Sequence, residues 1–266
     1  MNTIITSILG GEKFQQNKEK YLNSIYTLFS SKENFILFVD ETTKYFFEES
    51  PTLKIYNYDF LKDFPYNNLV ESLRHHPNFI DSAPWVKNSL QCIFSSYNPI
   101  IMSKPYMLKK AVELNPFNSE KFIWYDAGIL KNRIQFEMQN LPFKSEELTY
   151  IFELFTPDEM YFMSTTYPKN SPEIHGFKKE GIIKVLGDTP NYVCRGGNFG
   201  GGKDPLLKFI KEYDKLLKKT LKMGYMGTEE TIFTLLAFQN PQLYKNYIFS
   251  SYNDIYQSIY NKTILK

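Results

Sequence analysis

The sequence predicts an α/β protein with a mainly parallel central sheet flanked by helices. Three observations carry this. Short continuous apolar runs end in polar or acidic residues, amphipathic stretches of helical length separate them, and strand and helix alternate through the first half. Phe35-Ile-Leu-Phe-Val39, closed by Asp40, is the clearest strand. Its unbroken apolar run fits a strand covered on both faces, as parallel sheets require.

The elements follow in order. Thr3 to Leu9 is a β-rich run closed by Gly10-Gly11, and Phe14 to Phe29 is amphipathic at helical period. After the Phe35 strand, Lys54 to Tyr58 gives a weaker third strand. Pro84 to Tyr97 and Pro105 to Leu114 read as helices, the second stopped by Asn115-Pro116. Phe122-Ile-Trp-Tyr125 is another short buried strand, ending at Asp126-Ala-Gly128. Between Glu147 and Val193 the Pro and Gly punctuation suggests strands of antiparallel character. Pro205 to Met223 is a sharply delimited helix, with Asp204 as N-cap and Gly224 as its stop. Leu206, Phe209, Ile210, Tyr213, Leu216, Leu217 and Leu221 form its apolar face. A further helix opens at Thr228 and carries Ile232, Phe233, Leu235 and Leu236.

Bulk properties narrow the class. With 266 residues, 42% hydrophobic and 23% charged, the chain is globular and suits one large domain. A net charge of +2 gives no electrostatic case for a nucleic-acid partner. Two distant cysteines, Cys92 and Cys194, offer neither a disulfide framework nor a zinc motif. No apolar run approaches transmembrane length, and the N-terminus lacks the basic start of a signal peptide, so a cytoplasmic protein is expected.

Three segments carry candidate chemistry. Asp126 stands at the carboxyl end of a buried strand, where open α/β sheets bind ligands. A carboxylate there suits a divalent cation held against a diphosphate, and equally suits a simple turn cap. Cys194-Arg-Gly-Gly-Asn-Phe-Gly-Gly-Gly-Lys203 has five glycines in seven residues, from Gly196 to Gly202. It reads as a phosphate- or sugar-approaching loop or as a flexible hairpin, and is neither a Walker loop nor a dinucleotide fingerprint. Gly227-Thr-Glu-Glu-Thr231 is a helix start whose acids the dipole alone would favour. His75-His76 and His175 lack metal-ligand spacing and suggest surface positions.

Taken together, the stretch Ser103-Lys-Pro-Tyr-Met-Leu-Lys-Lys-Ala-Val-Glu-Leu-Asn-Pro-Phe117, the Trp124-x-Asp126-x-Gly128 motif, Gly196 to Gly201 and the Glu229-Glu230 pair resemble the HtrL/YibB-like family. The match runs in order across residues 100 to 240. The resemblance implies a GT-A (Rossmann-like) glycosyltransferase, glycogenin-like in plan, taking a nucleotide sugar, most simply a UDP-sugar. Residues 1–128 would form the nucleotide-binding half and 129–266 the acceptor-binding half. Asp126 would take the place of the last carboxylate of an Asp-x-Asp metal motif, binding Mn2+ or Mg2+, while Trp124 replaces the first Asp.

On this reading Thr6, Leu9, Asp40, Lys104, Trp124, Tyr125, Asp126 and Gly128 form the donor site. Thr6 to Leu9 and Asp40 line the nucleoside pocket, and Lys104 is the first cation for the departing phosphate. Gly196, Gly197, Asn198, Phe199, Gly200 and Gly201 border the acceptor or donor sugar. Glu229 and Glu230 bind sugar hydroxyls or act as general base toward a glycan or other hydroxyl acceptor. Two other readings compete. One is a non-catalytic nucleotide- or carbohydrate-binding module with a degenerate site. The other is a nucleotidyltransferase, for which Gly10-Gly11-Glu12-Lys13 is a thin version of the glycine-rich basic loop.

Overall fold

The computed structural model describes residues 1–130 and 143–265. One seven-stranded sheet organises them: β1 (Asn2–Ile8), β2 (Asn34–Val39), β3 (Leu53–Asn57), β4 (Lys121–Tyr125), β5 (Met160–Thr166), β8 (Tyr192–Gly202) and β9 (Lys245–Phe249). Their order is β3-β2-β1-β4-β8-β5-β9. β3, β2, β1 and β4 run parallel, β8 runs against both β4 and β5, and β9 returns parallel to β5. A small hairpin, β6 (Glu173–Ile174) with β7 (Phe177–Lys178), stands apart. The expected α/β class and mainly parallel sheet are both present.

Helices cover both faces of this sheet. Those used below are α1 (Glu12–Gln15), α2 (Lys18–Phe29), α3 (Tyr97–Met102), α4 (Lys104–Leu114), α5 (Ser145–Glu153), α6 (Lys179–Leu186), α7 (Lys203–Lys222), α8 (Glu229–Gln239) and α9 (Tyr252–Tyr260). Alternation along the strands divides the core into two layers. Ile5, Phe38, Phe122, Trp124, Phe162 and Phe199 pack under α4, α7 and α8. Ile4, Ile8, Leu37, Ile123, Tyr125 and Tyr161 pack on the opposite face under α2, α5 and α9. All seven apolar residues expected on α7 are buried.

The path of the chain creates one special place. From β1 it moves outward to β2 and β3, then crosses back to β4 on the other side of β1. Beyond the carboxyl ends of β1 and β4 the connections therefore diverge, leaving the crevice where open α/β sheets take ligands.

Several expected boundaries shift. The helix expected over Phe14 to Phe29 is two helices broken at Asn17. The one expected over Pro84 to Tyr97 is interrupted at Ser89 and Phe94, both extended. The Ser89 hydroxyl bonds the Val86 carbonyl at 2.7 Å, a local alternative to helical pairing. α7 begins at Lys203 with Gly202 as its cap, not at Asp204-Pro205. The largest correction concerns the glycine segment. It is no loop but the inner strand β8, paired on both edges, and none of its glycines has positive φ.

Candidate active site

The crevice holds a pocket of about 140 Å³. Ser7, Ile8 and Leu9 from the end of β1, and Trp124, Asp126, Ala127 and Gly128 from the end of β4, form its floor. Gly11, Lys13 and Phe14 follow directly from β1, Tyr21 comes from α2, and Ser96, Tyr97, Ile100, Ile101 and Lys104 close the far wall. The β1–α1 turn is locked onto that wall. Ser95 donates to Glu12 Oε1 at 3.0 Å, Ser96 donates to Glu12 Oε2, and a Cβ on Gly11 would sit 2.5 Å from Ser96 Oγ. Only glycine allows so close an approach.

Lys104 is the hub of the site. Its side chain is 9% exposed, and its ammonium lies 2.9 Å and 3.1 Å from the two Asp126 oxygens. It also lies 2.8 Å from Glu229 Oε1 and donates to the Gly196 carbonyl at 3.0 Å. Burial opposes its charge, but the two carboxylates outweigh burial and raise its pKa further. Glu229 behaves differently. Burial, above all, pushes its carboxyl up to about 7 against the pull of Lys104, and the charges of Glu230 and Asp126 add to the push. Oε2 of Glu229 is buried with no hydrogen-bond partner. Glu229, unlike the permanently charged Lys104 beside it, therefore titrates near neutral pH.

Asp126 is fixed from three sides. Its backbone N–H continues the β4–β8 ladder by donating to the Gly197 carbonyl at 2.9 Å. Trp124 Nε1 donates to Asp126 Oδ1 at 2.7 Å, and Lys104 reaches both oxygens. Trp124 thus does not merely replace an acid. Two residues apart on one strand, the indole and the carboxylate share a face, and the one orients the other. The Lys104 ammonium also lies 5.9 Å from the centroid of the Trp124 ring.

These donors bear on the expected Mn2+ or Mg2+. Oδ1 already meets the Trp124 N–H and the Lys104 ammonium and Oδ2 accepts from Lys104, which leaves room for a hydroxyl donor on Oδ2 but would put any divalent ion beside a fixed ammonium. Among the described residues no group of three His, Cys, Asp or Glu side chains is arranged to hold a metal ion. The described residues around Asp126 do not by themselves fit a divalent centre.

Glu230 anchors a second cluster behind the first. Its Oε1 accepts from Gly196 N–H at 2.8 Å and from Tyr252 at 3.3 Å. Its Oε2 meets Arg195 at 3.1 Å and His175 Nδ1 at 3.2 Å. Burial alone would raise this carboxyl, but His175, Arg195 and the Gly196 N–H together hold it below the usual carboxylate range. Arg195 also bonds Thr165 and lies 4.5 Å over the Tyr252 ring. His175, expected on the surface, is tucked into this network at a left-handed turn with φ 50°.

The structure separates the expected site residues into groups. Leu9, Lys104, Trp124, Asp126 and Gly128 line the pocket. Thr6 is fully buried beside β2 and does not reach it. Asp40 lies outside as well, its oxygens accepting from Gly10, Thr42 and Thr43 to lock the turns after β1 and β2. Tyr125 points to the opposite face of the sheet. Asn198 accepts from Tyr161 at 2.5 Å on that same face. Phe199 is core, stacked near Trp124 and Phe162. Gly200 and Gly201 serve strand packing, and only Gly196 and Gly197 adjoin the Lys104–Asp126 cluster. Glu229 is buried, Glu230 is half-buried, and neither lines the pocket. Lys13, Tyr21 and Tyr97 join the lining without standing in any of the motifs that point to the site, apart from Lys13 at the end of the Gly10-Gly11-Glu12-Lys13 segment.

No curated protein sequence matches the chain. Among solved structures, mouse xyloside xylosyltransferase 1 in its apo form is similar with a TM-score of 0.48 and 12% identity, covering 98% of this chain and 93% of that one. No helix among the described residues is long and apolar enough to cross a membrane. The family model described as "Bacterial protein of unknown function (HtrL_YibB)" matches residues 2–260. Coverage of that extent, with the Trp124-x-Asp126 strand, β8 and the Glu229-Glu230 helix start all inside it, makes the chain a member of the HtrL_YibB family.

Proposed function

We propose that this protein is a GT-A-type glycosyltransferase that takes its sugar from a nucleotide donor, most simply a UDP-sugar. The observation that carries this reading is the position of the pocket, at the carboxyl ends of β1 and β4 where the strand order reverses. Phe14, Tyr21 and Tyr97 give it aromatic walls suited to a base and ribose, and Lys13 and Lys104 give it positive charge for a diphosphate.

In transfer, the bond from the anomeric carbon to the diphosphate oxygen breaks, and its electron pair leaves with the nucleotide. An acceptor hydroxyl oxygen forms the new bond to that carbon and releases its proton to solvent. Negative charge grows on the leaving diphosphate, so fixed cations beside it stabilise the transition state more than the ground state. Asp126, aligned by Trp124 and Lys104, faces the sugar side as a rigid acceptor for donor hydroxyls.

The test is release of UDP from UDP-sugars. Asp126→Ala is expected to lower turnover about a hundredfold or more. Its fold should persist, because Lys104 keeps Glu229 as a partner. Unchanged turnover in this variant would remove Asp126 from the site. A second reading, a binding module without turnover, is favoured by one observation: neither Glu229 nor Glu230 lines the pocket. Nucleotide binding by calorimetry without release of UDP from any donor would select it.

A further inference from the structure

Of the acidic and basic side chains lining the pocket, two are lysines, Lys13 and Lys104, and one is a carboxylate, Asp126. Such a lining complements an anion. Asp126 already faces a cation, since the Lys104 ammonium lies within 3.1 Å of both its oxygens and the Trp124 indole N–H fills a further position on Oδ1. Lys104 cannot easily leave. It rises from the first turn of α4 and is clamped by Glu229 of α8 and the Gly196 carbonyl of β8. Its ammonium donates to Asp126 Oδ2 and the Gly196 carbonyl and is ion-paired with Glu229 Oε1.

We infer that the site carries its own cation in place of a metal: Lys104 neutralises Asp126 beside the diphosphate, Lys13 contacts the diphosphate, and nucleotide binding requires no divalent ion. This rests on the nucleotide-donor reading above. Lys13 is suited to the contact. It follows Gly10-Gly11 directly after β1, its Nζ lies 5.0 Å from the Tyr97 ring centroid, and it is only partly buried. A preorganised ammonium needs no reorganisation when a phosphate arrives, which is the advantage a bound metal would otherwise provide.

The experiment is calorimetric titration of UDP into the full chain, first in EDTA and then with excess Mn2+, repeated with GDP, CDP and ADP. Parallel electron paramagnetic resonance would follow free Mn2+ with protein, with and without UDP. Expected are dissociation constants that agree within about threefold in both conditions, and an undiminished free-Mn2+ signal. Lys13→Ala should weaken binding in EDTA about tenfold with an unchanged melting temperature, and Lys13→Arg should restore most of it. Nucleotide binding that appears only with Mn2+, together with loss of the free-ion signal, would overturn the inference and leave the nucleotide reading standing. Binding of no nucleoside diphosphate in either condition would overturn that reading, and the inference with it. Unaltered affinity in Lys13→Ala would overturn the assignment of Lys13.

Discussion

Replacing Lys104 with methionine is expected to destabilise the fold by about 3–5 kcal/mol and to lower the melting temperature by on the order of 10 °C. Methionine keeps most of the length and apolar stem, so packing is nearly preserved. What disappears is a cation in contact with both Asp126 and the buried Glu229, together with a donor to the Gly196 carbonyl. Breaking a buried ion pair by removing one partner costs more than the pair contributes, because the remaining charge is left without compensation.

The loss should depend on pH in a definite direction. The folded Glu229 carboxyl sits at about 7, above the ordinary carboxylate value, so between about 4.5 and 7 the folded state binds more protons than the unfolded one. Its contribution is fully present below that window and falls as pH rises through it. Without the ammonium the folded pKa climbs further, so the deficit of Lys104→Met keeps growing above pH 7, where the native protein has levelled off. Thermal melts should therefore show a small gap at pH 5 and a large one at pH 8. Adding Glu229→Gln to Lys104→Met removes the titrating charge and should recover much of the stability at pH 8. A single variant that melts within 2 °C of the native protein at pH 8, against the roughly 10 °C expected, would show that this network does not hold the site together.

The same residues explain what the sequence could and could not reveal. Apolar runs ending in Asp40 and Asp126 locate strands because burial on both faces leaves a pattern independent of tertiary detail. The apolar stripe of α7 is legible for the same reason. Trp124 reads poorly against an Asp-x-Asp pattern, yet strand periodicity alone puts its side chain on the face of Asp126, where it donates a hydrogen bond. Lys13 carried a local signal, a basic residue just after the glycine pair that closes β1. Arg195, His175 and Tyr252 gave no such signal. They converge on Glu230 from β8, the β6–β7 turn and α9, and sequence separation hides that convergence. Asp40 misled for the opposite reason, since a strand-ending acid serves a turn as readily as a ligand, and here it serves two turns.

Glycine composition misled most, and its correction yields the sharpest mutational contrast. Five glycines in seven residues suggested freedom of φ, but β8 is extended throughout and alanine can adopt its backbone angles. The glycines are there for space. A Cβ at Gly202 would lie 1.6 Å from the Pro157 carbonyl oxygen, and one at Gly200 would lie 2.4 Å from that of Phe122. Both obstacles are backbone atoms of the crowded region around β4 and β5, and they can yield only by moving the chain. At Gly197 the nearest atoms would be Asp126 Oδ2 at 3.7 Å and Ile129 Cδ1 at 3.8 Å, which is ordinary contact. Gly200→Ala and Gly202→Ala are therefore each expected to cost about 3 kcal/mol or more, seen as insoluble protein or a melting temperature lower by on the order of 10 °C. Gly197→Ala should match the native protein or gain about 0.4–1 kcal/mol, because alanine restricts the unfolded chain. If flexibility rather than space were the requirement, all three variants would suffer alike. A Gly197→Ala protein as unstable as the other two would restore the glycine segment to the flexible loop its composition suggests.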